Sequence, residues 1–379
     1  MKLSRIFVLD EIAHDPLVRT ISEQYPHIPI EKVDSTQTVF KYVLSTKKDP
    51  IEAGKKILFL NHNQGAFVRK CPGTRAYICC GYQIIHIGTF CTMDCSYCIL
   101  QSYFHPPVLQ LFVNTGDLFR DLDEIITNKK KGFQRLGTGE FTDSLIWENV
   151  CDISQQLIHY FSNQKHSVLE LKSKTTQIDA LLPLPHNRKT IMAWSLNTPE
   201  VIQMQEHRTT SLNARLKAAA ICESYGFPLA FHFDPIILYD GCEQAYDAVI
   251  DAIFAHVSAS NIVWISLGTL RFMAELKGII EKRFPHSTIV YGELFPGDDN
   301  KLRYFKPLRL KIYRRLIDRI QKHAPDVFVY FCMEDETIWH KTLGFIPNNP
   351  GGLPHLLDMQ AEKICGIQAI KCNSLETNR

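Results

Sequence analysis

Three cysteines in the segment GTFCTMDCSYCILQSYF carry the strongest chemical signal in this sequence. Cys91, Cys95 and Cys98 are spaced C-x3-C-x2-C. Three thiolates on one short loop can ligate three irons of a cubane [4Fe-4S] cluster and leave the fourth iron open to a bidentate small molecule. S-adenosylmethionine can take that position through its amine and carboxylate. One electron then breaks a C–S bond and releases a 5′-deoxyadenosyl radical. The competing chemistry is zinc, which usually wants four ligands; Cys71, Cys79 or Cys80 could supply the missing one.

The remaining cysteines put the loop in context. The chain has 12, of which Cys71, Cys79, Cys80, Cys91, Cys95 and Cys98 share one short stretch. Cys151, Cys222, Cys242, Cys332, Cys365 and Cys372 are scattered, and most of them read as small buried apolar residues. Cys71, Cys79 and Cys80 could hold an auxiliary cluster, donate a hydrogen atom or line a barrel base. In an extended strand, adjacent Cys79 and Cys80 would point to opposite faces and rarely share a metal. The N-terminus, MKLSRIFVLDEIAHD, is interrupted by Asp10 and Glu11 and shows no small-residue cleavage site. A cytoplasmic protein is expected, where clustered cysteines indicate metal or catalysis rather than disulfides.

The chain of 379 residues is 45% hydrophobic and 22% charged with a net charge of +2, a soluble globular balance in which bulk charge argues for no partner. No run approaches membrane-spanning length. RIFVLD, the end of a short segment at VDST, and KKILFLNHN read as strands of a small N-terminal α/β unit over residues 1–80. From YQIIHIGTF (82–90) onward, strand and helix signals alternate. FQRLGTGEFT, VLELKSK, TIMAWSLN, PLAFHFDPII, NIVWISLGTL, STIVYGEL and VFVYFCM read as strands, and 146–163, 212–226, 244–257, 272–283 and 307–323 as helices. Alternation of this kind implies parallel βαβ units. The expected fold is therefore α/β, a partial (β/α) TIM-type barrel over 81–345 with an N-terminal α/β extension and a C-terminal tail over 346–379. Polar groups at the strand ends, GTGE, SK, SLN and GT, stand where such barrels place active groups.

The C-x3-C-x-aromatic-C loop after the first barrel strand, with Tyr97 as the aromatic, resembles the radical S-adenosylmethionine superfamily. More narrowly, the chain resembles the spore photoproduct lyase family, which repairs a UV-induced thymine dimer in DNA. CTMDCSYCILQ, RLGTGEFTDS, LELKSKTTQID, WSLN, PLAFHFDPI, LRF and KLRYFKPLRLKIY carry that likeness, from about Ile85 to about Phe331. It implies cluster ligation by Cys91, Cys95 and Cys98, and S-adenosylmethionine contacts from Lys174 and Ser195. Thr138, Gly139 and Glu140 fall at the turn that binds the methionine end of the cofactor, and Tyr97 lies within reach of it. It also implies a flavodoxin- or ferredoxin-type electron donor. On their own residue types, Ser195 and Lys174 read equally as a strand-end hydrogen bond and a surface charge.

One departure bears on mechanism. The family cysteine that returns a hydrogen atom to the product radical aligns with Glu140, and an O–H bond is too strong to replace S–H. The aromatic after the last cluster cysteine is replaced by Ile99. Cys332 and Tyr97 are the alternative donors in this chain. Local charge points to DNA: KLRYFKPLRLKIYRRLIDR interleaves basic and aromatic residues, and a hairpin after FPGDDN would present Arg303, Tyr304, Lys306 and Arg309 within a basic hairpin and helix over about 287–323. The other readings are a radical enzyme acting on RNA, a peptide or a small molecule, and a non-catalytic cluster-bearing nucleic-acid-binding protein.

Overall fold

The computed structural model describes residues 1–46, 49–73, 77–128, 132–347 and 350–367; Cys372 and the end of the expected tail lie outside them. Seven strands follow one another across the main sheet in chain order: Gln83–Ile85, Gln134–Gly137, Ser167–Ser173, Thr190–Ser195, Leu229–Ile236, Ile262–Thr269 and Val329–Phe331. Every pair among them is parallel, as right-handed strand–helix–strand winding produces. Val68–Lys70 closes one edge in antiparallel fashion. The strands Thr190–Ser195 and Ile262–Thr269 are buried along their whole length. A parallel sheet covered by helices demands that, because neither face meets water.

The boundary expected at residue 80 does not divide the sheets. A second sheet orders Ile30–Val33, Arg5–Leu9, Ile57–Asn61, Leu109–Phe112 and Gly88–Thr89. Its last two strands flank the cysteine loop in sequence. YQIIHIGTF, expected as one strand, therefore breaks: Gln83–Ile85 pairs in the barrel sheet and Gly88–Thr89 pairs with Leu109–Phe112. That crossing places the cysteine loop between the two sheets.

Two other expectations are corrected. The helix expected over 146–163 is confined to Ile153–Ser162, with Trp147 and Val150 buried in the turns before it. STIVYGEL is not a strand; Ile289 and Val290 bury in a turn against Leu276 and Ile280, and only Leu294–Pro296 is extended. The C-terminal stretch forms the helix Gly352–Cys365, which buries Leu353, Leu357, Ala361 and Cys365 in the main core. No helix among the described residues is long and apolar enough to cross a membrane.

Candidate active site

The cysteine loop is held by its backbone. Asp94–Cys95 pairs antiparallel with Glu206–His207, and Ser96 N–H donates to the Gln205 carbonyl at 2.8 Å. The Gln101 amide donates to the carbonyls of Cys95, Ser96 and Cys98 at 2.9–3.2 Å. Lys55 Nζ donates to the Cys91 carbonyl at 3.2 Å and also to Met93, and it pairs with Asp94 at 3.4 Å. These donors anchor the loop through the carbonyls of Cys91, Cys95, Ser96 and Cys98.

The thiols fit an iron–sulfur cluster. Met93 N–H points at Cys91 Sγ at 3.4 Å, the kind of donor that stabilises a cluster thiolate. Burial pushes the Cys91 thiol up to about 12, and burial likewise raises Cys95 and Cys98. Such thiols ionise only against a strong local cation, which a cluster supplies. Each cysteine of a cubane site ligates its own iron, so three thiols spread along one loop suit it.

Cys98 opens onto a cavity of about 330 Å³ at the carboxyl ends of the barrel strands. Of the residues expected from sequence, Tyr97, Glu140, Ser195 and Cys332 also line it. Lys174 stands behind this wall. Its ammonium lies 5.7 Å from the Tyr97 ring centroid and 3.4 Å from Glu206 Oε1. Tyr97 Oη donates to the same oxygen at 2.5 Å, and Arg215 Nη2 to Oε2 at 2.7 Å. Burial alone would raise the Glu206 carboxyl, but Lys174 and Arg215 bring it down to about 2. Arg215 also donates to the Ser195 carbonyl at 2.8 Å. One buried carboxylate thus orders Tyr97, Lys174 and the Ser195 backbone together.

The turn after the second strand divides its tasks. Thr138 is buried, and its hydroxyl donates to Ser144 Oγ at 2.8 Å. A Cβ at Gly139 would stand 3.0 Å from Lys172 Cβ and 3.1 Å from its carbonyl, so glycine permits the close strand approach. Glu140 reaches the cavity and pairs with Lys172 at 2.6 Å. Deeper in, His232 Nε2 lies 3.2 Å from Glu170 Oε1, while Arg271 binds Asp234 through both nitrogens at 2.9 and 3.0 Å. Arg271 Nη2 also points at Cys332 Sγ at 3.2 Å. Burial pushes the Cys332 thiol up to about 12 even beside this guanidinium. Cys71 and Cys80 line the same cavity, whereas Cys79 faces solvent.

The sequence model of the spore photoproduct lyase family matches residues 74–303, a span that takes in the cysteine loop and most of the cavity wall. The chain belongs to the spore photoproduct lyase family. The spore photoproduct lyase of Clostridium acetobutylicum is 26% identical over 76% of this chain and 83% of its own length. That of Bacillus subtilis is 27% identical over 63% and 69%. A spore photoproduct lyase complexed with dinucleoside spore photoproduct superposes with a TM-score of 0.76 at 20% identity, covering 87% of this chain and 99% of its own. A double mutant solved with bound AdoMet and the same dinucleoside gives 0.76 at 21%, with equal coverage. At such identities these structures show the shared fold.

The expected DNA-contacting residues need correction. Arg303 and Arg309 are only 3% and 4% exposed, and Tyr304 is 7% exposed. Arg303 pairs with Asp299 at 2.6 Å and lies 4.2 Å from the Tyr77 ring centroid. Tyr304 Oη accepts the Leu238 N–H at 3.2 Å. Arg309 is paired with buried Glu334 and donates to the Tyr304 carbonyl at 3.1 Å. These groups are spent inside the protein. Lys306 is half-buried and pairs with Asp335 at 3.0 Å. Further along the helix, Lys311 meets Glu243 at 2.6 Å, Arg315 meets Asp247 at 2.7 Å, and Arg319 pairs with Asp251. The basic run is largely one side of an interhelical charge ladder with Cys242–His256. What the hairpin does expose is a pair of aromatic rings, Phe295 and Phe305, with centroids 5.3 Å apart.

Sequence reasoning missed Glu206, Arg215, Glu170 and His232. Nothing in MQEHRTT or LNARLKAAA distinguishes a buried ion pair from surface charge. Asp234 and Arg271 lay in family-like segments, and their strand-end positions were the available signal.

Proposed function

We propose that this chain is a radical S-adenosylmethionine lyase that repairs a UV-type thymine lesion in DNA. The observation that carries the reading is a cavity whose wall takes in both Cys98 of the clamped loop and the buried thiol of Cys332. Family membership and a relative solved with AdoMet and dinucleoside spore photoproduct support it. Cys91, Cys95 and Cys98 would hold a [4Fe-4S] cluster, which, reduced by a flavodoxin- or ferredoxin-type donor, would supply the electron for reductive cleavage of S-adenosylmethionine.

The protein's own groups then divide the work. Tyr97 and Ser195, held through Glu206 and Arg215, position the cofactor against the loop. Lys174 adds positive charge behind Tyr97. Cys332 returns a hydrogen atom to the product radical after the dimer's C–C bond breaks, and a thiyl radical remains on its sulfur. Burial suits it to this, because hydrogen-atom transfer needs S–H rather than thiolate. Glu140 is tied to Lys172 and orders that wall. On the DNA side, Phe295 and Phe305 offer the apolar wedge that offsets lost stacking when a lesion is extruded.

The test is deoxyadenosine formation and lesion loss, measured on anaerobically reconstituted protein with and without UV-irradiated DNA, beside Cys98→Ala. Both products from the wild type and neither from the variant establish the reading. Deoxyadenosine with unchanged DNA would move it to another substrate, the outcome that Glu140 at the family's donor position favours. A cluster-loaded protein that makes none would be a binding module.

A further inference from the structure

Tyr103 stands at the cavity rim on the short helix Leu100–Tyr103, directly after the cysteine loop. It is 54% exposed, although its ring is anything but loose. Its plane lies within 12° of Phe141, with centroids 6.1 Å apart. Phe104 packs edge-on against both rings, at 5.3 Å from Tyr103 and 5.8 Å from Phe141. Behind Phe141 comes His86 at 4.9 Å, and behind that Phe112 at 5.0 Å. The Phe141 carbonyl is fixed by the Phe90 N–H at 2.9 Å. An aromatic tier thus runs from the core to the rim and ends in one exposed ring. Neighbouring Ile99, also on the rim, is 39% exposed.

A ring held in a fixed plane by the core and open to water at the cavity rim is a ready-made face for a flat apolar partner. At the mouth of a cavity that receives an extruded lesion, that partner is a nucleobase. Charge does not draw it, since the contact is face to face and tolerant of base identity.

Resting on the function proposed above, we propose that Tyr103 is a stacking platform for the nucleobase adjacent to the lesion, which fixes the strand's register at the cavity mouth. Phe141 and Phe104 hold the ring parallel to the incoming base, so little conformational freedom is lost on binding.

The test is a protein–DNA double-mutant cycle. Reconstituted wild type, Tyr103→Ala and Tyr103→Phe are titrated against a labelled oligonucleotide carrying the lesion, with either a normal or an abasic flanking nucleotide, and binding is read by anisotropy. Tyr103→Ala should weaken binding about 5- to 150-fold, the range of one lost base–aromatic stack, and Tyr103→Phe should bind as the wild type does. The abasic flank should weaken the wild type by a similar factor and Tyr103→Ala by little more. Losses that simply add, or no loss in Tyr103→Ala, would overturn the platform alone. If the wild type shows no preference for the lesion over undamaged DNA, the repair reading and the platform fall together.

Discussion

Among single residues, Cys332 and Glu206 carry the most specific expectations. Cys332→Ala should still form deoxyadenosine but lose most repaired product, because radical generation survives while hydrogen return does not. Unchanged repair in this variant would pass the role to Cys71, Cys80 or Tyr97. Glu206→Ala leaves the wholly buried Arg215 without its partner and should lower stability by about 3–5 kcal/mol in denaturant unfolding. His86 gives a pH signature. It is buried among aromatic rings with neither ring nitrogen bonded, and burial, then Arg69, brings its imidazole down to about 4. Between its ordinary value and about 4 the unfolded chain binds a proton that the folded chain refuses. Stability is therefore complete above pH about 6.5 and falls by about 3 kcal/mol as pH drops toward 4. His86→Phe should flatten that slope in urea titrations run across the window.

At the level of elements, the hairpin and the helix Lys306–His323 separate two properties that the sequence had merged. Arg309 belongs to the interior, and Arg309→Ala strands buried Glu334. It should cost stability in the same range as other broken buried pairs, about 3–5 kcal/mol, while leaving the salt dependence of DNA binding unchanged. Phe295→Ala with Phe305→Ala should do the reverse. These rings are each 47% exposed, so folding should be nearly unaffected, whereas affinity for damaged DNA should fall by about 1–3 kcal/mol per lost stack. A binding isotherm paired with a melting curve for each variant distinguishes the two.

For the molecule as a whole, the helix Gly352–Cys365 ties distant strands of the main sheet together. It packs on the strand Ile262–Thr269, and Asp358 pairs with Arg135 at 2.6 Å across the sheet. Leu357 is fully buried, so Leu357→Ala should destabilise by about 2–5 kcal/mol. Arg135 also donates to the Cys80 carbonyl. The same variant should therefore loosen the cavity wall carrying Cys80, seen as faster alkylation of that thiol relative to Cys222. The two sheets are coupled in a similar way, since Gly88–Thr89 and Leu109–Phe112 bracket the cysteine loop and pair with each other, and Leu109–Phe112 pairs in turn with the N-terminal strand Ile57–Asn61.

The sequence by itself picked out the three-cysteine loop and most of the succession of barrel strands. Both are local signals: three thiols must share one loop, and a buried parallel strand must be an apolar run. It also placed Tyr97, Glu140, Ser195 and Cys332 at strand or loop ends, where the fold brings them to one cavity. Only the tertiary structure decided which charges are free. Arg303, Arg309, Arg315 and Arg319 look alike in a basic run, and their fates were set by Asp299, Glu334, Asp247 and Asp251. The last three of these acids come from other elements of the chain. Charge pairing across elements leaves no period in the sequence, so Glu206 with Arg215, the helical charge ladder and the exposed Phe295–Phe305 pair became visible only when the chain was folded.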